Sequence, residues 1–190
     1  MNKLIPLALA GVMLSQLYGC AATVAGGAAT GTAIAIDRRT AGVFVSDQEI
    51  EIKAMNRLRE AFPQKTDNMS ATSYNRQLLL TGQVPDADTQ ARAADVVKEI
   101  PDVRNVFNEL VVSGVTSLTS DANDVSITAK VKARLLADKA VPGVKIKVVT
   151  EASVVYLMGL VTQAEADAAT EIARTTAGVT KVVTLFEYIG

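Results

Sequence analysis

The chain contains no histidine and no tryptophan, and a single cysteine among 190 residues. Without histidine there is no Cys/His zinc site, no His-ligated haem and no His-based triad. A Gly-rich phosphate loop is also missing. What stays open is carboxylate chemistry, and the acids Glu99, Asp102, Glu165 and Asp167 fall at expected helix ends, where capping and the helix dipole account for them. The chain is therefore expected to be non-enzymatic, with no cofactor and no metal. Aromatics make up only 4%. Much of the 49% apolar fraction is alanine and valine, which suggests thin layers rather than a large core. Net charge is −1, so bulk charge gives no support for a nucleic-acid partner.

The lone cysteine sits where it has a use. Residues 1–19 carry Lys3, an apolar stretch from Leu4 to Leu14, and then Leu17-Tyr18-Gly19 directly before Cys20. This is the layout of a secretory signal, too short for a comfortable membrane span. Leu-x-Gly-Cys resembles the bacterial lipobox, although Tyr18 stands where that pattern prefers a small residue. The resemblance implies cleavage before Cys20 and its acylation. Two or more acyl chains hold firmly at about 0.8 kcal/mol per buried CH₂. Ala21 in place of the inner-membrane retention signal Asp implies the outer membrane, with the protein facing the periplasm. Residues 20–45 read as a small-residue tether. Gly27 and Gly31 also have the GxxxG spacing of a membrane dimer motif, but 21–36 is short for a span.

Two glycine-centred apolar runs organise the remainder. They are Leu78-Leu79-Leu80-Thr81-Gly82-Gln83-Val84 and Val155-Tyr156-Leu157-Met158-Gly159-Leu160-Val161, offset by 77 positions. The same offset relates Asp47 to Asp124, Ile50 to Ile127, Lys53 to Lys130, Arg57 to Arg134 and Leu58 to Leu135; past the second helix it drops to 76, with Val103 on Val179 and Val106 on Val182. The chain is thus a tandem repeat. The first copy predicts a helix from the capping box Ser46-Asp47-Gln48-Glu49 to Ala61. Strands follow over Met69–Tyr74 and Gln77–Val84, then a helix from Pro85-Asp86 to Ile100 and a strand over 103–112. The second copy predicts a helix from Asp124, strands over 145–150 and Val154–Val161, a helix from the capping box Thr162-Gln163-Ala164-Glu165 to Ala177-Gly178, and a strand over 180–189. Residues 113–123 read as a linker. The fold class is α+β: two α-β-β-α-β modules, at 46–115 and 116–190, each a three-stranded mixed sheet covered by two helices. Modules this small are marginal alone, so the two are expected to touch.

This order resembles the BON domain. The residues that carry the resemblance are Leu78-x-Leu80-x-Gly82-x-Val84, Val155-x-Leu157-x-Gly159-x-Val161, Val103-x-x-Val106 and Val179-x-x-Val182. The turns depart from the family's Asn-Gly type, with Asn75-Arg76 and Ala152-Ser153. With a lipobox in front, the chain resembles the dual BON-domain outer-membrane lipoproteins, the family associated with division and outer-membrane stress. That resemblance implies binding of anionic phospholipid such as phosphatidylglycerol through the second module, and support of envelope integrity near the division site. In that family an aromatic commonly starts the binding helix; Ser126 stands there instead.

The two copies differ in one patterned way. At 100° per residue, the first helices share a core stripe, Ile50, Ala54 and Leu58 against Ile127, Val131 and Leu135. The opposite stripe in copy one is Gln48, Glu49, Ile52, Asn56 and Arg59. In copy two it is Val125, Ser126, Ala129, Ala133 and Leu136. Lys132 and Lys139 flank it on one side, and Lys130 and Arg134 on the other. Residues 46–115 carry 8 basic and 11 acidic groups, whereas 124–190 carry 8 and 7, so the difference goes from −3 to +1. An apolar stripe edged by lysines suits an anionic bilayer surface. The alternatives are packing against copy one, or an envelope protein bound by a periplasmic adaptor.

Overall fold

The computed structural model describes residues 37–63, 68–113 and 121–190. The expectations for the signal segment, Cys20 and the tether as far as residue 36 lie outside the described residues; the last part of the expected tether, 41–45, is instead the first turn of a helix.

The elements follow in chain order. Module 1 has α1 (Ala41–Ala61), β1 (Met69–Tyr74), β2 (Gln77–Val84), α2 (Ala87–Lys98), β3 (Asn105–Asn108) and β4 (Val111–Val112). Module 2 has α3 (Asp121–Ala137), a 3₁₀ turn (Gly143–Lys145), β5 (Ile146–Glu151), β6 (Val154–Val161), α4 (Gln163–Arg174) and β7 (Lys181–Tyr188). In each module the middle strand pairs antiparallel with the first and parallel with the last. Helix, two-strand hairpin, helix and returning strand therefore occur twice, as the repeat predicts.

The cores match position by position. Ile50, Leu58, Leu78, Leu80 and Val84 are buried in one module. Their repeat mates Ile127, Leu135, Val155, Leu157 and Val161 are buried in the other. The N-caps Asp86 and Thr162 are 76 apart while Val84 and Val161 are 77 apart, so the missing residue falls at Pro85, before the second helix rather than after it.

The apolar runs are continuous because both of their faces are covered. Leu78 and Leu80 face the helices, and so do Val155 and Leu157. The alternate residues Leu79, Tyr156 and Met158 join Tyr74 and Leu185 in a third cluster that draws on both sheets. The sheets thus pack on one another by the faces turned away from the helices, and a strand buried on both sides loses its polar alternation. Burial pushes the Tyr156 phenol up to about 12, helped by Glu109 and Glu151. The touching of the modules is as expected; the surfaces that touch are these sheet faces.

Several boundaries differ from expectation. Helix α1 begins five residues before Ser46, because Thr40 serves as N-cap and accepts the Val43 amide at 3.3 Å. Asp47, read as part of a capping box, is instead buried within the helix. Helix α3 starts at Asp121, inside the expected linker. Helix α4 stops at Arg174, with Gly178 (φ +98°) in the turn beyond. The expected strand over 103–112 is split into β3 and β4. The break lies opposite Thr81 and Gly82, where Gly82 has a φ of +115° while β2 stays paired with β1. Gly159 has no such φ, and β6–β7 pairing runs unbroken from Val154 to Val161.

Candidate functional site

Helix α3 is held at both ends, and this determines which face looks outward. Near its start, the Asp124 carboxylate accepts the amides of Ala152 at 2.7 Å and Ser153 at 2.9 Å. These two turn residues have φ of 49° and 63°, a left-handed pairing normally reserved for Asn and Gly. Asp47 does the same in module 1, accepting from Asn75 at 2.8 Å and Arg76 at 2.6 Å. The carboxylate thus stabilises a hairpin turn that its own residues disfavour. Farther along, Ile127, Val131 and Leu135 are fully buried. The opposite stripe must therefore face solvent.

The structure places the expected site residues as follows. Val125 is 70% exposed and Leu136 is 59% exposed. Ala129, Lys130, Lys132 and Ala133 are exposed between them, and Ser126 is half-buried. Among the described residues, Lys130, Lys132 and Lys139 have no ion-pair partner. Lys139 lies beyond the helix, which ends at Ala137, so it borders the stripe from the following turn. Arg134 is not available to a ligand. It donates to the Ile172 carbonyl at 2.8 Å and to the hydroxyls of Thr176 at 2.7 Å and Thr175 at 3.0 Å, capping the end of α4. Its mate Arg57 reaches the Val96 carbonyl at 3.5 Å in the same way. Module 1 does not cover the stripe, so packing between modules is not its explanation.

Beside the stripe lies a groove of about 470 Å³ between α3 and the open edge of β5, lined by Asp124, Val125, Thr128, Ala129, Lys132, Thr150 and Glu151. Three expected residues, Val125, Ala129 and Lys132, meet there. Among the described residues no group of three or more acids could hold a metal ion, and no helix is long and apolar enough to cross a membrane.

Sequence reasoning missed the segment that enters module 1. Arg38 forms a two-pronged pair with Glu165 at 2.7 and 2.8 Å and also donates to the Leu160 carbonyl at 2.7 Å. The guanidinium holds the Glu165 carboxyl down to about 2, and the pairing raises Arg38 in turn. Arg39 pairs with Asp47 at 2.7 Å and lies over the rings of Tyr74 at 4.0 Å and Phe44 at 5.2 Å. Two consecutive arginines therefore grip different modules. The shared register of Asp47 and Asp124 was a usable signal; Arg38-Arg39 has no counterpart in copy two and gave none.

The two mixed sheets, each under two helices, define a tandem α-β-β-α-β protein, and a family model agrees: the BON domain matches residues 46–114 and 123–190. The chain belongs to the dual BON-domain lipoprotein family. It is similar to Outer membrane lipoprotein DolP of Haemophilus influenzae, 37% identical over 91% of this chain and 90% of that one. It is also similar to the 21 kDa hemolysin of Actinobacillus pleuropneumoniae, 32% identical over 81% of this chain and 80% of the relative. Osmotically-inducible protein Y of Escherichia coli is 33% identical over 74% of this chain and 72% of its own.

Proposed function

We propose that this chain is a non-enzymatic lipoprotein of the outer membrane, anchored through acylated Cys20 and facing the periplasm. Its second BON module contacts anionic phospholipid, such as phosphatidylglycerol, through the outer face of α3, and it supports envelope integrity, including at the division site. The observation that carries this reading is the uncovered stripe from Val125 to Leu136, apolar and bordered by the unpaired Lys130 and Lys132. An interfacial helix of this kind gains from buried apolar area and from about 1 kcal/mol per basic residue near an anionic surface. That is weak in free solution and useful once an anchor raises the local concentration.

A second reading has one observation in its favour. The groove between α3 and the β5 edge carries Asp124, Thr128, Thr150 and Glu151 beside its apolar lining, which suits an extended peptide of an envelope protein. A photo-activatable residue at Ala133 separates the two in intact cells. Adducts with phospholipid are expected; one stoichiometric protein adduct in their place would favour the adaptor.

A further inference from the structure

Nine large apolar side chains are exposed among the described residues, and five of them gather at one end of the molecule: Val45, Leu136, Val144, Tyr188 and Ile189. Their common location follows from the pairing. Tyr188 lies opposite Val161 in the ladder, and the Ile189 amide donates to the Val161 carbonyl at 2.9 Å. Val144 leads into β5, whose first residue Ile146 pairs with Gly159 at the same end of β6. The backbone of Gly143 lies so close to the end of α3 that a Cβ there would stand 2.5 Å from the Leu135 carbonyl oxygen, which brings Leu136 to this end. Module 1 contributes Val45, two residues before Asp47. That carboxylate holds Asn75, whose side chain reaches Glu187 at 2.6 Å, the ladder neighbour of Leu160.

Arg38 binds the Leu160 carbonyl at this same end, so the chain toward Cys20 departs from among these residues. We infer that this end is the surface that enters the headgroup region of an anionic bilayer, with α3 inclined so that Leu136 is deepest and Val125 is lifted away. The inference rests on the reading of α3 as the lipid-contacting helix and specifies its orientation. The occupant is identified by where the chain leads. Seventeen residues separate Cys20 from Arg38, a reach of at most roughly 60 Å, so the connection to an acylated Cys20 starts from this end. Lys139 and Lys145 add positive charge beside the apolar residues. A helix lying flat would instead seat Val125 and Leu136 equally, although they are about 16 Å apart along its axis.

Because the chain has no tryptophan, single-tryptophan reporters are unambiguous. Leu136→Trp, Val144→Trp, Tyr188→Trp and Val125→Trp would each be placed in the full anchored chain, in phosphatidylglycerol vesicles with brominated acyl chains. Quenching at 136, 144 and 188 should exceed that at 125 by about threefold, since interfacial side chains sit only some 5–10 Å into the boundary. Equal quenching at 125 and 136, with none at 144 and 188, would overturn the inclination and leave lipid contact standing. No quenching at any of the four would overturn both.

Discussion

The Asp47 carboxylate accepts the backbone amide of Arg76 at 2.6 Å, across the mouth of a hairpin turn 29 positions away. It also takes the Asn75 amide and the Ser73 hydroxyl, and it pairs with the largely buried Arg39. Asp47→Ala should therefore cost about 3–5 kcal/mol, because it removes the acceptor of three hydrogen bonds and a largely buried ion pair at once. Asp124→Ala, which releases the amides of Ala152 and Ser153, should cost about 1–3 kcal/mol. Urea unfolding followed by far-UV circular dichroism measures both. Equal midpoints for Asp47→Ala and the unaltered chain would contradict this role.

The two motif glycines should respond very differently to alanine. A Cβ at Gly82 would stand 1.8 Å from the Asn68 carbonyl oxygen, at a φ of +115°. A Cβ at Gly159 would stand 3.2 Å from the Lys145 carbonyl oxygen, with no unusual φ. Gly82→Ala should cost about 3 kcal/mol or more. Gly159→Ala should stay within about 1 kcal/mol. Thermal unfolding of the two variants side by side decides it; similar losses would mean the glycines are equivalent after all.

Acid should loosen the Arg38–Glu165 contact in a defined window. Glu165 has its folded-state pKa depressed from 4.5 to about 2, chiefly by Arg38. A depressed carboxyl contributes stability that is fully present above its unfolded value and is lost as pH falls through the folded one. The contribution should fade between pH 4.5 and about 2. Arg38→Ala should flatten the acid limb of the stability curve in that window and leave the neutral plateau lower. An unchanged acid limb would show that the pair does not form in solution.

Much of this was legible from residues and some was not, for physical reasons. The bounds of β2 and β6 follow from apolar runs that end in turn residues, and the burial of Ile127, Val131 and Leu135 follows from helical spacing. Ser46 to Glu49 has the letters of a capping box, yet the helix starts at Ala41 behind the N-cap Thr40, with Arg39 over the Phe44 ring. The split between β3 and β4 lies opposite Thr81 and Gly82, and pattern alone does not give the φ of Gly82. The outward placement of Val125 and Leu136 follows from the same helical spacing. Arg134, counted as a flanking charge, is drawn instead to the end of α4, and Arg38 finds Glu165 across 127 positions that no local rule spans.

Liposome flotation of the chain from residue 21 onward, which lacks both the apolar leader and the acylated Cys20, tests most directly whether the outer face of α3 recognises an anionic bilayer. The chain should float with vesicles containing phosphatidylglycerol and stay behind with purely zwitterionic ones. Lys130→Glu with Lys132→Glu should lower the bound fraction by more than about tenfold, given about 1 kcal/mol per basic residue. Flotation that ignores phosphatidylglycerol, or that survives the double charge reversal unchanged, would contradict the account.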